Sequence, residues 1–364
     1  MINHYVLQNL RHRWVRTLLS AIVVGIQVML ILTVIGLSKG MLEDTAQRAK
    51  GTGADIFIKP GSSISFSTGQ TSEKYVAWVA KQPHVAQAVG VLMVPTSQPF
   101  LPVNGVDIPE FRRISIGFRF IQGGMPDNPD GLIVDEYYAQ QHGLHPGMKV
   151  NLVNHEWTLS GVIRGGVLAH LIVDLRRLQY LTSNAGQISQ TLVKLDNPAL
   201  TNEMVNDLNA KLQGRMTAIS TADFVSMFNV NNLPALRAFI WVMVALAILV
   251  GFLIVFLSMY TAVVERTREI GILKALGAKP GTVIGILVRE AIALAIVGCV
   301  IGVLLSFGAK GLIMSLVPAS LQVANVPEWW PLAAGIAIVG ALLGAIIPSM
   351  KAARQDAIEA LAYD

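Results

Sequence analysis

Three groups of residues in the chain have types that could do chemistry. The run Gly277-Ala278-Lys279-Pro280-Gly281-Thr282 has the glycines and lysine of a phosphate cradle. Such a cradle, however, ends in Gly-Lys-Ser/Thr, which places a lysine on the phosphates and a hydroxyl on magnesium. That ending is missing here, and G-x-x-x-x-G-K-[ST] occurs nowhere in the chain. His142, His145, His155 and His170 raise a metal reading. Yet Gly143 and Pro146-Gly147 read as turns and no carboxylate pairs with these histidines at a ligand spacing, so they are read as solvated loop residues. Asp135 and Glu136 are adjacent, would point to opposite faces of a strand, and so make a poor catalytic dyad. No G-x-S-x-G, H-E-x-x-H or kinase signature appears. The single cysteine, Cys299, excludes an internal disulfide and a CxxC metal clip. The expectation is a non-catalytic chain with no catalytic residue, metal site or cofactor of its own. An external active site around His142 and His145 is the enzyme rival.

The elements that would carry these residues are set by composition. Of 364 residues, 53% are hydrophobic and only 14% charged, with a mean hydropathy of +0.54. Average soluble domains are about 45–50% apolar and about 25% charged, so disorder and a purely cytosolic enzyme are disfavoured. The net charge of +5 is concentrated beside apolar runs rather than on a nucleic-acid face, and no nucleic-acid partner is expected. Four runs free of ionisable residues, 17–37, 238–264, 291–309 and 329–350, are each long enough to cross about 30 Å of hydrocarbon as a helix. The first is read as an uncleaved anchor, because it is longer than a signal-peptide core and is not followed by a small-x-small cleavage pattern. Lysine and arginine crowd residues 1–16, the loop 265–290 and the tail 351–364, whereas loop 310–328 has only Lys310. The positive-inside rule then puts both termini and the 265–290 loop in the cytoplasm, with 38–237 and 310–328 outside.

Residues 38–237 contain sixteen acidic and seventeen basic residues and read as a water-facing domain. Two strand-helix-strand units bracket it. The first runs through Asp55–Ile58, Glu73–Lys81 and Val85–Met93, the second through Thr191–Leu195, Asn202–Leu212 and Met216–Ser220. Between them, 95–190 reads as an inserted, mostly β subdomain. The flanks Ser38–Lys50 and Ala222–Arg237 are helix-compatible and would continue spans one and two outward as stalk helices. The fold class is thus an integral membrane α-helical protein with four transmembrane helices and an α+β extracytoplasmic domain.

The cytoplasmic loop is the most informative stretch. Glu265, Arg268 and Glu269 form a charged patch at helical spacing, Ile270, Leu273 and Leu276 an apolar edge, Gly277 can end a helix and Pro280 begin the next. A projecting helical hairpin of this kind suits a groove on a cytosolic partner. The plainer reading is a juxtamembrane helix whose cations set topology and touch anionic lipid.

The segment Glu265 to Ala291, ERTREIGILKALGAKPGTVIGILVREA, resembles the cytoplasmic motif of ABC-transporter permeases of the MacB/FtsX type, which include the LolC and LolE lipoprotein-release permeases. The closing segment Lys351–Tyr363, KAARQDAIEALAY, is similar to that family's end, with Ala357 where proline is common. The resemblance implies a Porter-like split αβ domain with an inserted Sabre-like β-rich subdomain. It also implies a coupling helix at Gly277, Ala278, Lys279, Pro280, Gly281, Thr282 and Val283, docked on a separate ATPase and supported by Glu265, Arg266, Arg268 and Glu269. ATP and magnesium would be bound by that ATPase. Implied partners are the ABC ATPase subunit, a second permease copy or paralogue, membrane lipid, and a periplasmic adaptor or outer-membrane partner, all at a bacterial inner membrane. The expected function is export or extraction of a hydrophobic or amphipathic cargo by motion passed to the external domain, with an FtsX-like signal relay to an external hydrolase as the alternative. Gly298-x-x-x-Gly302 and Gly340-x-x-x-Gly344 permit close helix approach, within one subunit or between two. No span carries an interior charge, which argues against a proton relay.

Overall fold

The computed structural model describes residues 14–61, 69–98, 101–316 and 322–354. Residues 1–13, the middle of loop 310–328, and the tail from 355 onward with Ala357 lie outside the described residues. The chain divides into two compact units, one of residues 1–38, 234–313 and 323–364, the other of 39–233 and 314–322.

Helix α1 (Trp14–Gly51) contains the first apolar run and continues through its polar flank without interruption. The α/β unit then follows: β1 (Ile56–Pro60), β2 (Thr71–Ser72), α2 (Lys74–Val79), β3 (Val85–Val94), β4 (Val103–Val106), α3 (Ile108–Ile114), β5 (Phe120–Gly123), β6 (Gly131–Asp135) and α4 (Glu136–His142). It continues with β7 (Lys149–Leu152), β8 (His155–Ile163), β9 (Leu171–Asp174), α5 (Leu175–Leu181), β10 (Gln187–Ile188), β11 (Gln190–Leu195), α6 (Thr201–Leu212), β12 (Met216–Ser220) and α7 (Thr221–Met227). Both bracketing strand-helix-strand units are present, with boundaries within a few residues of those read from periodicity.

The segment 95–190 differs from expectation in two ways. Its strands do not form a separate sheet: β4 pairs antiparallel with β3, Val91 opposite Val106, giving one ten-stranded sheet in the order β12-β1-β11-β3-β4-β9-β6-β8-β5 with β7 on β8. Nor is it mostly β. Strands β4, β6 and β9 each lead into a short helix whose cap is an aspartate, Asp107, Asp135 or Asp174, accepting a hydrogen bond from the backbone N–H three residues on. An aspartate at that position satisfies one of the donors a helix start leaves unpaired. Asp135, the last residue of β6, is therefore also the cap of the helix that Glu136 opens.

Both faces of the sheet are covered, so its central strands are apolar at consecutive positions instead of alternating. In β6, Ile133 joins a core with Phe57, Phe111, Ile172 and Leu192, while Leu132 and Val134 join Trp157, Leu159 and Leu171 on the other side. A third core packs Ile56, Ile58 and Val193 against Met204 and Leu208 of α6. Trp157 is fully buried and its indole N–H donates to the Leu152 carbonyl at 3.1 Å.

The membrane unit is completed by α8 (Pro234–Glu265), α9 (Thr267–Ala275), α10 (Pro280–Leu316) and α11 (Trp330–Arg354). Together with α1, three of these make four helices long and apolar enough to cross a bilayer. The expected second stalk helix over 222–237 is broken: α7 stops at Met227 and α8 starts at Pro234. Proline lacks an N–H and disfavours helical backbone at the residue before it, so Leu233-Pro234 keeps α8 from running back into α7.

The glycine motifs act within the subunit. A Cβ at Gly302 of α10 would lie 2.6 Å from the Gly25 carbonyl and from Val28 of α1, and one at Gly298 would lie 2.7 Å from Val24. A Cβ at Gly344 of α11 would lie 2.7 Å from the Phe252 carbonyl of α8, and one at Gly340 would meet the same helix at ordinary contact distance. Backbone touching backbone is how helices gain dispersion contact where no hydrophobic effect drives them together. Leu253, Leu257 and Leu304 point outward and are more than half exposed, as lipid-facing residues are.

Two outcomes follow. Trp157→Ala empties a closed core site and should destabilise the α/β unit by about 3–5 kcal/mol, read as a lower melting temperature by near-ultraviolet circular dichroism. Gly302→Leu forces α1 and α10 apart and should lower detergent-solubilised stability by about 1–3 kcal/mol. A matched Gly308→Leu, where nothing lies within 4 Å, should be near neutral in the same melt.

Candidate functional site

The hairpin between the second and third apolar helices is built from its turns outward. Helix α8 does not run straight into it: the backbone breaks at Arg266 and α9 begins at Thr267. At the other end of α9 the N–H of Gly277 bonds the Lys274 carbonyl at 2.9 Å and that of Ala278 the Leu273 carbonyl at 3.0 Å. Gly277 sits at φ +91°. This is the left-handed glycine cap that closes a helix with two reversed hydrogen bonds. Pro280 then opens α10 at the position where a missing N–H costs nothing. A sharp elbow results.

Its outward face consists of Gly277, Lys279, Pro280, Gly281 and Thr282, all exposed, with Ala278 half-buried. Among the described residues, nothing beyond the chain neighbours lies within 4 Å of where a Cβ on Gly277 or Gly281 would sit. Leu276, beside the turn, is 80% exposed and Ile272 is 45% exposed. Glu265, Arg268 and Glu269 are exposed alongside. The elbow thus presents an apolar tip, a lysine and a mixed-charge flank.

Two residues expected on this surface face inward instead. Val283 is buried and packs with Val263, Ile270, Leu287 and Ala352 under the elbow. Arg266 is 7% exposed and its Nη1 donates to Glu290 Oε2 at 3.1 Å. The break at Arg266 rotates its side chain toward α10, whereas Arg268 two positions later points out. Lys274 adds a second tie, donating from Nζ to the Ala353 carbonyl at the end of α11 at 3.0 Å. The base of the elbow is therefore pinned to α10 and α11, and its tip is exposed. Sequence reading missed Ile272, which lies on the opposite side of α9 from Ile270, and Glu290, which is the last residue of the 265–290 loop.

The remaining chemistry-bearing residues are dispersed. His142 stacks on Tyr138 with ring centroids 4.2 Å apart, and His145 Nδ1 lies 3.3 Å from the Gln122 side-chain oxygen. His155 Nε2 is 2.8 Å from Asp130, which also accepts from Arg177 Nε at 2.6 Å. His170 is buried against Arg48 and Asp135, contrary to its reading as a solvated loop residue. No group of three or more histidines, cysteines or acids that could hold a metal occurs among the described residues. In the membrane unit, a cleft of about 190 Å³ between α1 and α8 is lined by apolar side chains, among them Ile26, Leu30, Met243 and Val250, with Gln27 the one amide.

Comparison with known proteins agrees with this layout. A family model described as the MacB-like periplasmic core domain matches residues 17–211, more than half of the chain, and one described as the FtsX-like permease C-terminal matches 241–357. The uncharacterized ABC transporter permease YknZ of Bacillus subtilis is 33% identical over 122 residues, 33% of this chain and 30% of that protein. The macrolide export ATP-binding/permease protein MacB of Hahella chejuensis is 37% identical over 120 residues, 33% of this chain and 18% of that protein. The aligned stretch therefore spans less than a third of either relative. Among solved structures, the periplasmic region of MacB from Actinobacillus actinomycetemcomitans superposes with a TM-score of 0.37 at 12% identity, covering 50% of this chain and 95% of that one. The extracellular domain of YknZ gives 0.35 at 14% identity, covering 46% and 98%. With one family model over the first helix and the α/β unit and the other over the last three long helices, the chain belongs to the MacB/FtsX-type family of ABC transporter permeases.

Proposed function

We propose that this permease is the non-catalytic membrane subunit of an ABC transporter that exports or extracts a hydrophobic or amphipathic cargo, such as a lipid, lipoprotein, peptide or drug. It works as a dimer, with an identical copy or a paralogue, in a bacterial inner membrane. Both termini and the elbow are cytoplasmic and the α/β unit lies outside. A separate ATPase binds ATP and magnesium and docks on the elbow through Gly277, Ala278, Lys279, Pro280, Gly281 and Thr282, with Glu265, Arg268 and Glu269 at the flank. Arg266 and Val283 act from beneath, holding the elbow on α10. Closure of the ATPase pair moves the elbow, and the long helices carry that movement to the external unit.

The observation that carries this reading is the elbow itself: an exposed glycine-proline turn with an 80% exposed leucine, on a base tied by the Arg266–Glu290 pair. A merely topological juxtamembrane loop has no use for an apolar tip held out on a pinned base. The apolar cleft between α1 and α8 supports an apolar cargo, and the absence of a charge inside any span supports mechanical transmission over ion coupling. Four helices of this kind suit movement of packed elements rather than passage of a hydrophilic solute.

Copurification of an ATP-binding subunit with the chain, and stimulation of its hydrolysis by the chain in lipid, tests the proposal. Gly281→Glu and Lys279→Glu place a carboxylate on the docking face without touching the core, and each should reduce stimulated hydrolysis by about 5- to 150-fold, the usual range of coupling between sites. Insertion and thermal stability should be unchanged. Full stimulation in both variants would count against the elbow as the docking face.

A further inference from the structure

The α/β unit buries four ionisable side chains in one place. Arg48 and Asp44 come from the last turns of α1, Asp135 from the end of β6, and His170 from the residue before β9. Their side-chain exposures are 7%, 10%, 0% and 7%. Arg48 donates from Nε to Asp44 Oδ2 at 2.7 Å and from Nη2 to Asp135 Oδ2 at 2.6 Å. His170 Nδ1 lies 2.8 Å from Asp135 Oδ2 and Nε2 lies 3.5 Å from Asp44 Oδ2. The sheet supplies half of this geometry. Antiparallel β6 and β9 pair Val134 with Leu171, and the Asp135 N–H donates to the His170 carbonyl at 3.1 Å, so the two side chains are delivered side by side.

The charges decide the protonation. Two buried carboxylates face one guanidinium, so the site carries a net negative charge unless His170 is an imidazolium. Each ring nitrogen faces a carboxylate oxygen, and only the doubly protonated ring has a proton for both. The 3.0 Å approach of Arg48 Nη2 to His170 Nδ1 sets donor against donor, which the shared Asp135 oxygen between them makes tolerable. With His170 protonated the four charges sum to zero, the condition under which buried ions are retained.

We propose that Arg48, Asp44, Asp135 and His170 form a charge-balanced joint that fixes the outer end of α1 to the segment 95–190, with the protonated His170 as its removable part. The inference rests on the transmission reading above: α1 is one continuous helix, and the joint is where its outer turns grip the sheet. These four are positioning residues; none has to touch cargo or nucleotide.

The dependence on pH follows from the groups around His170. Facing it are Arg48 and Asp44 from α1 and Asp135 from β6, with Glu136 and Tyr137 next along the chain from Asp135. Gln322, which is neutral, donates to Asp44 Oδ1 at 3.4 Å. Glu136 is occupied by the Gly165 N–H at 3.2 Å. Burial and then the neighbouring acids push the Tyr137 phenol above its usual range, so it stays neutral. Burial alone would lower the His170 pKa, but its hydrogen bonds to Asp135 and Asp44 outweigh burial and the like charge of Arg48, and it is held above the usual 6.5. A group raised on folding stabilises fully below its unfolded value and loses that contribution as the medium rises through the folded one. Burial would raise Asp135, but the His170 hydrogen bond and the Arg48 charge reverse this and hold it below the usual 3.8, so its contribution is lost only in acid. The joint therefore grips above the acid range in which its carboxylates protonate and loosens as the medium rises through the raised pKa of His170.

The test uses the full chain in lipid nanodiscs, first with no ATPase present. Amide hydrogen exchange, corrected for its intrinsic pH dependence, is followed over residues 39–51 and 131–142 from pH 6 to pH 10. The native chain should lose protection by about tenfold or more as His170 deprotonates, tenfold corresponding to one pKa unit of linkage. His170→Gln should show the reduced protection throughout with no step, and His170→Lys, a cation through this range, should keep protection high to a more alkaline limit. No step in the native chain, or the same step in His170→Gln, overturns the joint; the native titration decides even if a variant fails to fold. Stimulated hydrolysis by the copurified ATP-binding subunit is then measured over the same range and should fall in parallel with protection. A protection step with a flat hydrolysis profile overturns the transmission role and leaves the elbow standing. Failure of any ATPase to copurify overturns the proposed function while the exchange arm still judges the joint.

Discussion

Hydrocarbon offers neither water for a peptide group nor screening for a charge, and the rest of this structure follows from that constraint. The chain meets it with four long helices whose apolar stretches hold no ionisable residue. Charged contacts of these helices lie toward their ends. Toward one end, Arg266, Glu290 and Lys274 tie the elbow to its neighbours. Toward the other end of α1, Arg48 and Asp44 meet Asp135 and His170. Between these ends the contacts are close-packed backbone and methyl groups at Gly25, Gly298, Gly302 and Gly344. Interdigitated packing of this sort resists continuous deformation, as passing a displacement along such a helix would require. On the proposed reading this is what a subunit without nucleotide chemistry needs.

Features that depend on runs of one residue class were legible from the sequence. The apolar helices follow from segments with no charge to break them, and the elbow from a glycine that can cap one helix and a proline that can open the next. The outer strand-helix-strand units followed from local periodicity for the same reason. The break before Pro234 was also written in the sequence, as Leu233-Pro234, but the helix-compatible residues around it outweighed it in the reading. The three helices inside 95–190 had a signal too, in the Val-Asp steps at 106–107, 134–135 and 173–174, where an aspartate cap follows a strand.

What escaped the sequence is set by partners far apart along the chain. Arg266 and Arg268 have the same chemistry and nearly the same neighbours, yet one points into α10 because Glu290 lies 24 positions away and the helix breaks in between. His170 resembles the other loop histidines until Arg48, 122 positions earlier, and Asp135 close around it. The joining of the insert to the flanking units as one sheet rests on the pairing of β3 with β4, which alternation of apolar residues leaves undetermined because both faces are buried.

The central claim is that the Gly277–Thr282 turn touches an ATP-consuming subunit in the cytosol while the α/β unit stands on the far side of the membrane. Site-specific photo-crosslinking in intact membranes tests this most directly, with a photoreactive residue at position 279 and a control at Tyr180, which is 75% exposed in the α/β unit. The account predicts an adduct with an ATP-binding subunit from position 279 and none from position 180. An adduct from position 180, or none from 279 while ATP-driven cargo movement continues in the same membranes, would contradict it.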